Sequence, residues 1–338
     1  MRLTPRASAE FDDWLAQHLQ ELGRLCQQRL GGALWALILG GGYGRGEGGV
    51  LKQEGSERPY NDLDLFLLVH HRPEPGPLVE LSKTYHELLG VDVDFSRPYS
   101  RREVNHWPGC QMFFDLVQGY QLLAGDATWI EAVPKRCWNP PPPLEASRLL
   151  LNRGAGLLWA LRVAEGLEPA PDQDFVRRNA YKLWQALGDA LLLLHGRYQS
   201  QYQGRSQKLR DVPGVESNVL SNYERSLEFR LAPGPDFGPQ PQVAELREAV
   251  QAWLKIFLHC EATRLQQPGW LDPARYLQDP RPREPFAWKE VARNLRRGQF
   301  SLHSRRQTLY LDLVQLLSQS GWAEPQAARW LQRWRENC

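Results

Sequence analysis

Gly41-Gly42-Tyr43-Gly44-Arg45-Gly46-Glu47 and, a short way on, Asn61-Asp62-Leu63-Asp64 decide how this chain reads. The run ahead of them, Leu34-Trp35-Ala36-Leu37-Ile38-Leu39, is short, apolar and ends in glycine, as a buried strand does. Glycines directly after a strand permit positive φ and let a ligand approach the backbone. Successive N–H groups in such a turn make an anion-binding concavity. Arg45 adds a forked, permanently charged donor suited to a phosphate oxygen. An ordinary strand-to-helix turn also uses glycine, so the turn decides little by itself. No Gly-Lys-Ser/Thr follows, which excludes a P-loop, and the spacing of a dinucleotide fingerprint is not evident.

The carboxylates carry more weight. Asp62 and Asp64 stand at i and i+2 ahead of Leu65-Phe66-Leu67-Leu68-Val69, so on a strand they share a face. Two aspartates side by side repel each other unless a cation lies between them. Mg²⁺ takes carboxylate oxygens and fills its remaining positions with water and substrate phosphates. A second acidic stretch, Val91-Asp92-Val93-Asp94-Phe95, repeats the spacing. Either Asp92 or Asp94 completes a three-carboxylate set for two metals, which clamps the attacking and leaving oxygens of an in-line displacement.

Residues 37–95 resemble the core of the DNA polymerase β-type nucleotidyltransferase superfamily: a strand, Gly-Gly, Asp-x-Asp, then a third acid on a later strand. Gly-Gly-Tyr-Gly-Arg-Gly-Glu is similar to the uridylyltransferases that modify the PII signalling protein. Val91-Asp92-Val93-Asp94-Phe95 is similar to the third-acid strand of aminoglycoside nucleotidyltransferases. The resemblance implies that Gly41 and Gly42 hold a triphosphate, with Tyr43 and Arg45 in the same nucleotide-binding turn. It implies Asp62, Asp64 and Asp92 as metal ligands, Asp92 doubling as proton acceptor and Asp94 standing in reserve. The cofactor it implies is Mg²⁺ or Mn²⁺, and the substrate an NTP. The interval Gly48–Asn61 is longer than the family's usual few residues, and its polar, glycine-bearing character reads as an inserted surface loop.

Composition sets the outer bounds. The 338 residues suggest two domains, and 42% hydrophobic content with 13 tryptophans supports sizeable cores. A net charge of +2 gives no electrostatic case for nucleic acid. Five cysteines at 26, 110, 137, 260 and 338 lack Cys-x-x-Cys spacing, so they form neither a disulfide framework nor a zinc site. The N-terminal residues lack the apolar core of a signal peptide and no run is long enough to span a bilayer, so a cytoplasmic protein without membrane partners is expected.

Apolar spacing predicts a helix over 8–30 with Ser8 at its start, a helix over 78–89 ended by Gly90, a loop over 96–109 and a helix over 111–124. Pro140-Pro141-Pro142-Pro143 stops the pattern. The expected organisation is a nucleotidyltransferase domain over 1–139, a proline linker over 140–143 and a helical acceptor-binding domain over 144–338. In fold class this is α+β, a small mixed-sheet domain followed by an all-α bundle. Helices are expected over 145–166, 173–198, 215–231, 242–265, 285–297, 304–320 and 323–336.

Within the helical half, Arg178 and Lys182 share a face. A similar Lys-x-Trp helix in poly(A)- and terminal-uridylyl-type relatives makes Lys182 a candidate γ-phosphate contact, although a solvated basic face is the commoner reading. Asp189, set among leucines, is expected to pair with arginine rather than act as a base. No His-Asp dipeptide occurs, which sets the chain apart from the phosphohydrolase domain of PII uridylyltransferases. The resemblance therefore implies transfer of AMP or UMP from an NTP to an acceptor hydroxyl, on a protein by slight preference or on a small molecule. A silent nucleotide-binding or protein-interaction module is the alternative.

Overall fold

Helix α1 (Ala9–Leu30) starts at Ser8, whose side chain accepts the backbone N–H of Phe11. The protein is seen here in a computed structural model that describes residues 2–53, 55–234, 237–285 and 305–337. The chain forms two units. One comprises Met1–Pro141, Tyr198–Ser206 and Leu227–Gly238; the other comprises Pro142–Arg197, Gln207–Ser226 and Pro239–Cys338. The sequence reading assigns all of 144–338 to the helical half. Two later segments instead return to the first unit, and this matters for the site.

In the first unit α1 leads to β1 (Leu34–Leu39), a one-turn helix α2 (Gly41–Gly44), β2 (Gly49–Gln53), β3 (Ser56–Tyr60) and β4 (Leu63–Val69). Then come α3 (Gly76–Leu89), β5 (Val93–Phe95), β6 (Tyr99–Ser100), α4 (Arg101–Val104), α5 (Gln111–Gln118) and β7 (Gln121–Gly125). The main sheet runs β5-β4-β1-β7, with β6 also beside β4. It is mixed: β1 lies antiparallel to β4 and β7, while β4 lies parallel to β5 and β6.

Every residue of β1 is buried because both faces of the sheet are covered. On one face Leu37, Leu39, Leu63, Leu65 and Leu67 pack with Leu15, Leu19 and Leu22 of α1 and with Leu81 and Tyr85 of α3. On the other, Ala36, Ile38, Phe66 and Leu68 pack with Trp107, Phe113 and Trp129. Alternation along β4 puts Asp62 and Asp64 in the parity of Phe66 and Leu68, at the open end of that second face.

Three local expectations change. Residues 48–60 are not a loop but chiefly a β-hairpin, paired from Gly49↔Tyr60 to Gln53↔Ser56. Val50 and Pro59 are buried on one side of it, and Lys52 and Glu57 form a 2.9 Å cross-strand ion pair. Residues 111–124 split into α5 and β7 at Gly119, whose backbone is extended. The leucines there continue a helical pattern, but the second edge of β1 takes them as a strand. The 96–109 loop contains β6 and α4, the latter begun by a Ser100–Glu103 capping box.

The later elements are α6 (Leu144–Ala164), α7 (Phe175–Leu194), α8 (Arg205–Arg210), α9 (Ser217–Leu231) and α10 (Val243–Arg264), followed by helices at Pro273–Gln278, Arg305–Ser318 and Pro325–Asn337. They agree with the expected helices to within a few residues. The helix expected over 285–297 lies, beyond residue 285, outside the described residues. Trp253 is fully buried and its indole N–H donates to the Leu150 carbonyl at 2.8 Å, fastening α10 to α6. Asp189 accepts the Tyr223 hydroxyl at 2.7 Å and the Gln185 amide at 3.3 Å, so tyrosine and glutamine donors serve where arginine is expected. Among the described residues no helix is long and apolar enough to cross a membrane.

Candidate active site

The Gly40 N–H donates to the Asp64 carbonyl at 2.8 Å, joining the end of β1 to β4 just before the glycine turn. Gly41 has φ +59°, and a β-carbon on it would lie 2.1 Å from Oδ2 of Asp64. Glycine is therefore needed twice at this position, for the left-handed backbone and for the carboxylate lying against it. At Gly42 a β-carbon would lie 3.0 Å from the Glu47 carbonyl, and the Glu47 N–H donates back to Gly42 at 2.8 Å. The turn is closed on itself.

Tyr43 is occupied within the protein. Its ring fills the space over Gly48. Its hydroxyl lies 2.6 Å from the Gly49 carbonyl and 3.1 Å from that of Tyr60, and it accepts the Tyr60 N–H at 2.8 Å. It fastens the β2–β3 hairpin to the turn. Tyr43→Phe is expected to cost about 1–3 kcal/mol, because buried hairpin groups lose their partner; urea denaturation measures this.

Arg45 is nearly inaccessible, its side chain 5% exposed and 3.5 Å from Glu47. Its guanidinium lies over the Tyr202 ring, 5.5 Å from the centroid. Glu47 in turn accepts the Tyr202 backbone N–H at 2.8 Å. Arg205 lies 4.7 Å and Arg230 5.3 Å from the same ring. Three guanidiniums thus surround Tyr202, all within the first unit.

The acids face this basic group. Asp64 pairs in register with Asp94 across the parallel β4–β5 ladder. Burial and the neighbouring Asp62 charge push the Asp64 carboxyl up to about 6, with Asp94 adding to the rise and Arg230 and Arg45 opposing it. Asp94 is also raised, by burial, then by Asp62 and Asp92. Asp92 stands apart: its side chain is 75% exposed and 3.2 Å from His86, and its backbone carbonyl accepts the Leu63 N–H. Asp94, not Asp92, is the carboxylate aligned with Asp64.

No family model matches the chain, and no curated protein matches its sequence. Among solved structures, the chain is similar to spectinomycin adenyltransferase AAD(9) from Enterococcus faecialis, solved with ATP and spectinomycin. Identity is 9%, covering 71% of this chain and 98% of that one, with a TM-score of 0.45. A nucleotidyltransferase-like protein from Exiguobacterium sibiricum is similar at 9% identity, covering 90% of this chain and 92% of that one, with a TM-score of 0.33. Likenesses at this level say nothing of activity.

The chemistry of the donors bears on a cation. Among the described residues no group of three histidine, cysteine or acidic side chains is set to enclose a metal ion. Asp62, Asp64 and Asp94 nevertheless offer hard oxygen donors whose mutual repulsion a cation would relieve. This fits Mg²⁺ or Mn²⁺, which bind through one or two carboxylates and leave other positions to water and phosphate. Lys182 lies in the second unit, on α7, where its charge helps lower the pKa of Asp172 after the larger effects of burial and Arg178. Tyr202 and Arg230 are absent from the sequence reading, and Arg205 enters it only as a basic residue with no fixed place. Tyr202 lies 157 positions from Arg45 and no local pattern joins them.

Proposed function

We propose that the protein is a divalent-cation-dependent nucleotidyltransferase. It would transfer AMP or UMP from an NTP to an acceptor hydroxyl and release pyrophosphate. The observation that carries this reading is the acidic end of β4: Asp62 and Asp64 in one parity, Asp94 aligned across the ladder, and a glycine at 41 against which the Asp64 carboxylate lies. A bound cation there would offset charge on the attacking and leaving oxygens.

The chain's own residues supply the remaining parts. Asp62 and Asp64 would hold the cation. The Gly41–Gly42 turn and the guanidiniums of Arg45 and Arg230 would orient the polyphosphate. We assign the third carboxylate to Asp94 rather than Asp92, on register. One carboxylate oxygen of Asp94 takes the proton as the acceptor oxygen bonds to the α-phosphorus and the bond to pyrophosphate breaks. The 75% exposure of Asp92 and its His86 neighbour give it no comparable part.

Label transfer tests the reading. The protein is incubated with each α-³²P NTP and Mg²⁺ or Mn²⁺, with and without cell extract. Label is expected to move to a protein band or a small molecule, which identifies base and acceptor class together. Asp94→Asn should remove the transfer and Asp92→Asn should keep most of it. Folded protein that transfers no label under any condition would leave a silent nucleotide-binding fold as the better account.

A further inference from the structure

Arg230 occupies the last turn of α9, in the part that belongs to the first unit. Its carbonyl oxygen sits 2.4 Å from where a β-carbon on Gly49 would be, so only glycine admits the helix end there. Gly49 pairs in register with Tyr60, and the Phe229 ring meets Tyr60 edge-on at 5.8 Å. Asp62 follows Tyr60 by two residues. The backbone of Arg230 is thus anchored beside the start of the acidic strand.

Its guanidinium rests on the Tyr202 ring with two others. Arg205 is engaged by the carbonyls of Gln199, Gln201 and Ser200 and by the Tyr198 hydroxyl. Arg45 faces Glu47. Arg230 differs, because the acids whose charges it meets are Asp62 and Asp64. Three cations around one ring repel each other, and these two carboxylates offset that repulsion.

We infer that Arg230 is a resident counter-cation of the Asp62–Asp64 pair, competing with a divalent cation for the carboxylates and turning to the polyphosphate once nucleotide and cation are both bound. This rests on the reading of Asp62 and Asp64 as cation ligands. It makes Arg230 a positioning residue with two effects of opposite sign. Removing its charge strengthens binding of a cation alone and weakens binding of a polyphosphate. A purely structural role would weaken both.

The test measures Mn²⁺ binding to the full chain without nucleotide, by electron paramagnetic resonance of the free ion, and tripolyphosphate binding in chelator by calorimetry. Arg230→Gln is expected to bind Mn²⁺ roughly three- to tenfold more tightly and tripolyphosphate at least about fivefold more weakly. Arg230→Lys should stay near wild type in both. Arg230→Met, which keeps the stem on Tyr202, carries the same expectation if Arg230→Gln does not fold. If Asp62→Asn/Asp64→Asn loses Mn²⁺ while Arg230→Gln binds it no better than wild type, the carboxylate reading stands and the counter-cation role falls. If the double asparagine variant binds Mn²⁺ as wild type does, the cation site falls and this role with it.

Discussion

Asp62→Asn/Asp64→Asn is expected to remove nucleotidyl transfer by at least about a thousandfold, and to do so in a protein more stable than its parent. The loss follows from removing the two carboxylates that would hold the cation against the phosphates. The gain follows from electrostatics. Asp64 titrates at about 6 in the fold against its ordinary 3.8, through burial and then Asp62. Between those values the folded state keeps a proton that the unfolded chain has released. Stability therefore falls as pH rises through that window, and the penalty is complete above it. In chelator at pH 8 the variant should melt about 2–4 °C higher, and the gap should close below about pH 4. Thermal melts across pH, beside the label assay, measure both halves. A variant that is inactive because it is unfolded would show the opposite shift.

Gly41→Ala is expected to lower transfer about a hundredfold or more while the protein still folds. Two effects meet at this residue. A left-handed φ of +59° costs an alanine about 1–2 kcal/mol. The new β-carbon also falls 2.1 Å from the Asp64 carboxylate, which must move. Gly31→Ala separates the two effects. Its φ of +52° imposes similar strain, and nothing lies within 4 Å of the added carbon. It should lose comparable stability and keep full transfer. Equal activity in the two variants would show that the position of the Asp64 carboxylate does not matter to the reaction. Steady-state transfer rates and urea denaturation curves for the pair decide this.

Much of this architecture can be read locally. Ser8 starts α1, Gly90 ends α3 in the left-handed conformation, and the Asp62–Asp64 spacing puts both acids in one parity of β4. Each depends on a few consecutive residues whose conformational preferences agree. Failures occurred where a local preference had a distant competitor. Gln121-Leu122-Leu123-Ala124 suits a helix by pattern, yet it becomes β7 because β1 has a second edge to satisfy. The hairpin at 49–60 looks like a loop until Tyr43 supplies its buried hydrogen bonds.

The site divides in the same way. The sequence by itself determined the glycine turn, the first two carboxylates and the presence of a third acid nearby. Only the tertiary structure decided which acid that is, since Asp92 and Asp94 have equal spacing and only the β4–β5 register aligns Asp94 with Asp64. It also decided that Tyr202, Arg205 and Arg230 belong with the turn, through two segments that return to the first unit from the helical half of the sequence. The physical reason is range. Backbone preference and side-chain parity act over a few residues, whereas strand register and the assembly of like charges around one ring are settled only when the whole unit packs.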